Sequence, residues 1–468
     1  MPAWLVKLLP ILVLLAAVGI VLARMPRVEL GHSEAYKRRR VMNWVPLGLT
    51  YAFLYFGRYN LSAIVSELDK SGVLTKSEFN AIDGVGAWVY GIAFLVNGPL
   101  ADRFGGRRTM LAATAGSALM NLGMAVSMQK ALGGDAASLK AELLVLNAAN
   151  MYFQSFGAVS IVKVNAPWFH VRERGVLGGL FGVLISLGLY FSYDWSLAIG
   201  RAFGFAWSFW VPGAVLVACC AVTARMVRDT PSEAGFADFD TGDATSGQTG
   251  TMGVVEVARR MFSQRVIWVI IAIEFCSGFL RQAVMKQYRL YAKAIGADHE
   301  FVYQNWGMLL CVAGILGGVF AGFISDHVFQ SRRGPVSSVL YAGMALCGVG
   351  AFVSLGDSSL GWFVVGMSLC VIGVHGMLSG TASMDFGGSR NAGVVTGIID
   401  GFVYLGTGTQ AFLYGRLLPT GDAARDPANW RAWPGAMLPV VLIGLALCAT
   451  IWNATARKPG SAPAVKAG

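Results

Sequence analysis

Long apolar stretches alternate with short polar segments along the chain, and this pattern predicts a bundle of membrane-spanning helices. A helix crosses a bilayer with about 20 apolar residues, and residues 4–24 already reach that length. Twelve further stretches follow, at approximately 41–68, 80–101, 109–129, 141–166, 175–200, 203–226, 266–295, 300–325, 336–355, 361–384, 392–418 and 434–456. We therefore expect an all-α membrane protein in which one extra N-terminal helix precedes twelve spans.

The composition supports a membrane protein and argues against several other classes. Of 468 residues, 55% are hydrophobic and 13% are charged, whereas soluble domains carry charges at about a quarter of their positions. The net charge of +11 lies in short loops rather than in a basic domain, so we expect no nucleic-acid binding. The seven cysteines fall in apolar stretches without metal-ligand spacing. With no phosphate-loop lysine or nucleophile-elbow serine either, we expect no metal, no cofactor and no enzyme.

The polar segments predict the orientation and the domains. Loop arginines concentrate after spans two, four, six, eight and ten, so these loops and the tail 457–468 are expected to be cytoplasmic. The one long connection, residues 227–265, contains FADFDTGDATSGQTG and predicts a flexible linker that ends in an amphipathic helix at 253–262. It divides the chain into an additional helix and two six-helix halves, at residues 1–30, 41–226 and 266–456.

The two halves repeat. DRFGGRR begins at Asp102 after span two, and DHVFQSRRG begins at Asp326 after span eight, 224 positions later. Arg58 lies inside span one, and Arg281 lies inside span seven, 223 positions later. An internal repeat with one intramembrane cation in each half is typical of a transporter whose site lies at the midplane between the halves.

Arg58 needs a partner within the membrane. An arginine near the middle of a membrane helix costs roughly 2.5 to 3.5 kcal/mol on insertion scales. The partner is either a travelling anion or an internal carboxylate, for which Glu274, Asp400 and Asp83 are available. The residues alone leave both possibilities open.

Several segments together resemble a known family. They are YKRRRVMNWVPLGLTYAFLYFGRYNLS (36–62), YGIAFLVNGPLADRFGGRR (90–108), FQSFGAVSIVKVNAPWFHVRERG (153–175), VRDTPSEAG (227–235), FLRQAVMKQYRLY (279–291), GFISDHVFQSRRG (322–334) and RNAGVVTGIIDGFVYLG (390–406). The chain resembles the major facilitator superfamily and, within it, the organophosphate:phosphate antiporters, which include glycerol-3-phosphate and hexose-phosphate transporters. The resemblance covers nearly all of residues 36–456 and leaves out the N-terminal helix.

The resemblance implies a substrate site. Arg58 and Arg281 match the family's phosphate-binding pair, and a planar guanidinium suits phosphoryl oxygens better than an ammonium does. Four more residues align with the lining of the family's cavity: Tyr51, Tyr55, Tyr90 and Gln154. The alternative for the tyrosines is plain helix packing. Lysines or histidine of glycerol-phosphate relatives are replaced by Tyr59, Phe94 and Leu184, which favours a less charged or more apolar substrate.

Two further groups of residues are candidates for coupling and gating. Glu274, Asp400 and His375 are buried titratable residues that could carry a proton, although a packed histidine is the alternative. Charges at cytoplasmic helix ends are expected to hold the inner gate, with simple topology signals as the alternative: Asp102, Arg107, Arg108, Asp326, Arg332 and Arg333. Lys163 and Lys286 are expected to snorkel or to face loops, with a role in substrate binding as the alternative.

These observations predict a secondary active transporter that moves an anionic, phosphorylated metabolite by alternating access, in exchange for inorganic phosphate. One alternative is proton-coupled transport of a non-phosphorylated organic anion, and another is a membrane sensor of sugar phosphates. We expect a monomer in a bacterial inner membrane, whose partners are lipid, the small anionic substrate and phosphate.

Overall fold

The computed structural model describes residues 3–24, 31–170, 174–241, 254–329 and 333–452. Within these ranges the chain forms helices and no strand. The longer helices are α1 (Ala3–Arg24), α2 (Glu34–Lys70), α3 (Lys76–Phe104), α4 (Gly106–Leu132), α5 (Leu139–Asn165), α6 (Arg174–Tyr190), α7 (Ser196–Phe203), α8 (Trp207–Met226), α9 (Val254–Phe262), α10 (Arg265–Ala294), α11 (Phe301–Gln304), α12 (Trp306–His327), α13 (Arg333–Val353), α14 (Leu360–Leu417) and α15 (Ala432–Thr450). The predicted tail 457–468 lies outside the described residues.

Local sequence signals account for where these helices begin. The Ser33 side chain accepts a hydrogen bond from the Tyr36 backbone N–H at 3.2 Å and caps α2. Thr75 and Glu78 form a reciprocal capping box at the start of α3. In the described part of the chain, eight helices are long and apolar enough to cross a membrane. The first predicted span, on α2, is not among these eight. Polar side chains such as Arg58 and Asn60 lower its hydropathy.

The helices differ from the predicted spans in three places, one of which is a short break at Asn305 within the predicted span 300–325. A single helix, α14, replaces the predicted spans 361–384 and 392–418 and the loop between them. No proline lies between Leu360 and Leu417, so nothing removes a hydrogen bond from the helical ladder there. The predicted span 175–200 is interrupted by a π-helical turn, Phe191–Trp195, between α6 and α7. Such turns place one extra residue in the ladder and rotate the helix beyond it.

Glycines bring the two halves into backbone contact along α3 and α14. A Cβ atom at Gly91 would lie 2.7 Å from the carbonyl oxygen of Gly401, and one at Gly98 would lie 2.5 Å from that of Gly393. No larger residue fits at these positions without a backbone shift, because real Cβ contacts are longer. Small residues at such crossings let membrane helices approach closely.

The extra helix α1 covers a seam between the halves. Ile11 is buried in a cluster with Phe56 of α2, Tyr190 of α6 and Met308 of α12. On its other side α1 exposes large apolar residues, including Leu9 and Val13. One face of α1 therefore packs against both halves, and the other is suited to lipid.

Candidate substrate site

Arg58 is anchored between the two halves. Its guanidinium lies on α2, is 4% exposed, and donates through Nε and Nη2 to Gln154 Oε1 at 3.2 and 3.0 Å. Its Nη1 donates to the hydroxyl of Tyr404, on α14, at 2.8 Å. Gln154 is fixed in turn, because its Nε2 donates to the Leu54 carbonyl at 2.9 Å. Arg58 thus has polar partners from α5 of its own half and from α14 of the other.

Tyrosine rings enclose the same guanidinium. The Arg58 Cζ atom lies 4.4 Å from the ring centroid of Tyr55 and 4.7 Å from that of Tyr90. Tyr404 stacks on Tyr90 with the ring centroids 3.9 Å apart, and Tyr51 packs edge-on against Tyr55 at 5.6 Å. The negative ring faces stabilise the cation without neutralising it. Of the four residues predicted to line the cavity, Gln154, Tyr55 and Tyr90 contact Arg58 directly. The fourth, Tyr51, contacts Tyr55.

Arg281 faces the same tyrosine but has fewer partners. It lies on α10, is 5% exposed, and its Cζ atom is 5.7 Å from the ring centroid of Tyr404. Among the described residues, its Nε and Nη2 atoms have no hydrogen-bond acceptor. A buried guanidinium with unsatisfied N–H groups is costly, so these groups favour an anionic acceptor.

The described carboxylates form their ion pairs with residues other than the two arginines. In the part of the chain that the structure describes, no ion pair joins Arg58 or Arg281 to an acid. Glu274 is fully buried on α10, and its Oε2 lies 3.2 Å from His375 Nδ1. Asp400 is buried on α14, one turn before Tyr404. The three coupling candidates thus lie on two helices of the second half.

Two neighbours of the site were missed or misjudged in the sequence. Tyr404 contributes to both arginine environments, and its spacing of four residues from Asp400 was the available signal. Lys286 was expected to snorkel or face a loop, and this is wrong: it is buried in an ion pair with Asp83 of α3. Leu184 packs against Gly48, ten positions before Arg58, so its identity does not shape the arginine environment.

The gating candidates of the first half lie at the end of the bundle from which the linker emerges. We call this end the linker face. Asp102 Oδ1 pairs with Lys163 Nζ at 2.8 Å, and its Oδ2 accepts from the Val394 N–H of the second half at 3.2 Å. The Arg107 N–H donates to Asp229 Oδ1 at 2.7 Å. Burial raises the pKa of the Asp229 carboxyl, against the hydrogen bond from Arg107, which lowers it.

Arg108 lies beside these residues without joining their bonds. It lines a cavity of about 640 Å³ together with Asp102, Arg107 and Lys163. The second predicted gate lies outside the described residues: these leave out Arg332 and the side chains of Asp326 and Arg333.

A family match decides the class of this bundle. The family described as Major Facilitator Superfamily matches residues 47–410. The chain belongs to the major facilitator superfamily. It is an integral membrane protein, and the predicted all-α major facilitator fold is confirmed, with α14 running through two of the predicted spans.

Similar proteins agree with this assignment. A probable hexose phosphate transport protein of Chlamydia pneumoniae is 23% identical over 92% of this chain and 94% of its own length. The glycerol-3-phosphate transporter of Bacillus subtilis is 23% identical over 90% and 94%, and the membrane sensor protein UhpC of Salmonella typhimurium is 26% identical over 83% and 87%. A bacterial homologue of the human lysosomal transporter Spinster, solved in an inward-facing occupied conformation, superposes with a TM-score of 0.64 at 12% identity over 90% and 97% of the two chains. The last match shows the fold alone.

Proposed function

We propose that this superfamily member is a secondary active transporter that moves a small phosphorylated metabolite by alternating access. The observation that carries the proposal is the pair of buried arginines, one from each half, that share Tyr404 and form no ion pair with a carboxylate among the described residues. Two buried positive charges that form no ion pair with a described carboxylate favour a mobile anion.

The two arginines divide the recognition of the phosphoryl group. Arg58 presents a cation whose Nε, Nη1 and Nη2 atoms already have acceptors, so it contributes mainly charge. Arg281 presents Nε and Nη2, the two donors that can grip two phosphoryl oxygens in parallel. A lysine at either position would supply charge but not this geometry.

Aromatic residues define the rest of the proposed substrate. Phe94 lies 4.7 Å from Tyr90 and 5.9 Å from Tyr404 between ring centroids, and Tyr59 lies within 6.0 Å of the Arg58 Cζ atom. This wall is less cationic than that of glycerol-phosphate relatives. The phosphoryl group is therefore expected to be attached to a moiety with apolar area, and hexose or glycerol phosphates are the relatives' printed substrates rather than this chain's.

Movement would follow from rocking of the halves around the arginines. Asp102 and Val394 join the halves at the linker face, while Lys286 and Asp83 join them on the opposite side of the site. Opening one side requires one of these contacts to separate. Exchange against inorganic phosphate would reset the carrier, with the linker face proposed to be cytoplasmic in a bacterial inner membrane.

Liposome counterflow tests the proposal. Purified protein is reconstituted in vesicles loaded with inorganic phosphate, and uptake of radiolabelled phosphate is followed against empty vesicles and protein-free vesicles. We expect phosphate loading to accelerate uptake and an imposed pH gradient to have no effect. Absence of phosphate exchange, together with uptake of an unphosphorylated organic anion, would contradict the proposal.

Proton coupling is a second candidate because buried Glu274 and partly buried His375 form a hydrogen-bonded pair in the same half as Arg281. Such a pair could hold a proton while an anion occupies Arg281. In that case a pH gradient should drive uptake, and Glu274→Gln should abolish this dependence. Under phosphate exchange, the same variant should keep counterflow and its indifference to the gradient.

A sensor is a third candidate because two similar proteins, from Salmonella typhimurium and Escherichia coli, are named membrane sensor protein UhpC. A sensor would bind phosphate compounds and give no vesicle flux. Binding without flux, measured on the same preparation, would favour it.

A further inference from the structure

A polar stripe continues along α10 from the substrate site toward the face opposite the linker. It consists of Gln282, Lys286, Arg289 and Lys293, which we call the α10 stripe. Successive members are four, three and four positions apart, so they share one face of the helix. The first three are buried.

Two members of the stripe meet acids that come from the first half. Lys286 pairs with Asp83 of α3, and Lys293 Nζ lies 3.3 Å from Glu67 Oε2 at the end of α2. Gln282 Nε2 donates to the Tyr59 hydroxyl across the same seam at 3.0 Å. When the halves separate on this side, Asp83 and Glu67 leave with the first half and the cations stay on α10. Lys293 keeps a second partner, Asp298 Oδ2, at 2.6 Å, whereas Lys286 loses the one acid that it pairs with among the described residues.

Arg289 does not fit a simple latch between opposite charges. It is 1% exposed, and its Nη2 lies 3.4 Å from the Tyr303 hydroxyl, a long hydrogen bond. Its Nε has no acceptor and its guanidinium no ion pair among the described residues. A latch needs one acid for each buried base, because an uncompensated buried charge destabilises the closed state. Arg289 therefore indicates a ligand that this set of side chains does not supply.

We propose that Lys286 and Arg289 form a second anion-binding site, which receives the phosphoryl group between the outside of the far face and Arg281. This rests on the proposed transport of a phosphorylated anion. The two residues are three positions apart on one helix, so an ammonium and a guanidinium can contact the same oxyanion. In the closed arrangement Asp83 takes the place of that anion at Lys286. Separation of the halves removes Asp83 and frees Lys286 for the incoming ligand.

The first test removes the central site and asks whether phosphate still binds. Thermal unfolding of Arg58→Gln/Arg281→Gln in nanodiscs is measured against inorganic phosphate, with chloride at equal ionic strength as the control. We expect a phosphate-dependent rise in Tm that persists, weakened, in this variant. Adding Arg289→Gln to it should abolish the rise.

The outcomes separate the two proposals. If phosphate stabilises the wild type but not Arg58→Gln/Arg281→Gln, the second site is wrong and the central site stands. If phosphate stabilises neither protein, both proposals are overturned. If the residual effect survives Arg289→Gln, the anion is held elsewhere and this site is wrong.

A charge exchange distinguishes an anion site from a latch. Asp83→Lys/Lys286→Asp keeps the ion pair but moves the cation to the first half. If the pair acts only as a latch, the double variant should exchange phosphate at the wild-type rate. The second site predicts a protein of near wild-type Tm whose KM for phosphate is raised about tenfold, with a smaller change in kcat, because the cation no longer lies beside Arg289. Should the exchange fail to fold, Lys286→Gln supplies the same KM comparison, and an unchanged KM would overturn the site.

Discussion

Arg58 and Arg281 occupy matching positions in the two halves, yet their surroundings are opposite. Arg58 donates to Gln154 and Tyr404 with three of its nitrogen atoms. Arg281 has two buried nitrogen atoms without acceptors among the described residues. The difference teaches that duplication sets where a charge lies, while the neighbouring helices decide whether it is anchored or available.

The sequence contains the cause of this asymmetry. Gln154 supplies the amide oxygen that accepts two bonds from Arg58. The positions 223 and 224 residues later are Met377 and Leu378, and neither side chain has a carbonyl oxygen. The first half can therefore hold its arginine in place, and the second half leaves two nitrogen atoms of its arginine without acceptors among the described residues.

The largest expected effect is that of Arg281→Lys. We expect phosphate exchange to fall by about 100-fold or more, because the parallel pair of N–H donors is lost while the charge is kept. Arg58→Lys is expected to lose most transport as well, because an ammonium cannot reproduce the planar set of bonds to Gln154 and Tyr404 that holds the charge in place. Counterflow of labelled phosphate measures both, with membrane insertion checked by detergent extraction and gel filtration. Wild-type uptake by either variant would count heavily against the site.

Gln154→Leu should have the next largest effect, since it makes Arg58 resemble Arg281. Two Arg58 nitrogens lose their acceptor, and leaving such buried groups unsatisfied costs about 1 to 3 kcal/mol. We expect a lower Tm and roughly tenfold slower exchange, since the anchored cation would become mobile. A matched control is Gln154→Glu, which restores an acceptor but adds a competing anion, so it should recover Tm and not exchange. Recovery of both would refute the distinction between anchor and ligand.

Tyr404→Phe should have a moderate effect because it removes the hydroxyl that Arg58 uses and keeps the ring that faces both arginines. We expect KM for phosphate to rise about three- to tenfold, because Arg58 loses one of its three hydrogen bonds but keeps its charge and its two bonds to Gln154. Tyr90→Phe is the control, since the Tyr90 hydroxyl has no hydrogen-bond partner among the described residues. Equal changes in both variants would show that the rings act only by packing.

Deletion of residues 1–30 should have the smallest effect on transport. The deletion removes Ile11 from the cluster with Phe56 and Met308 but touches neither arginine. We expect exchange to stay within about threefold of wild type and Tm to fall, because buried apolar contacts are lost. Complete loss of exchange in a folded protein would show that α1 takes part in the rocking of the halves.

The features that could be predicted from the sequence are those marked by residues that are rare in membrane helices. Arginines inside apolar helices are uncommon, so Arg58 and Arg281 could be singled out, and the tyrosines at helical spacing from Arg58 followed. Hydropathy also predicted the helical bundle. It failed at α14, because the dip in hydropathy near Arg390 predicts a loop, whereas the helix continues through this segment despite Gly387 and Gly388.

The remaining contacts depend on which helices meet, and a single sequence does not contain that information. Lys286 and Asp83 are 203 positions apart and pair only because α10 packs beside the first half. Tyr404 lies among many aromatic residues of apolar helices, where packing is the commoner role. Its contact with Arg58 spans 346 positions. Such partners become visible only once the fold brings α14 against α3.

The glycine crossings of α3 and α14 have a consequence for the time course of transport. Because Gly91 and Gly98 touch opposing main-chain atoms directly, no flexible side chain is available to bridge a partly separated pair. The contact between α3 and α14 is then either made or lost over its whole length. Partly separated arrangements of the two helices are not stabilised by it. We therefore expect this seam to limit leakage of protons and water between turnovers.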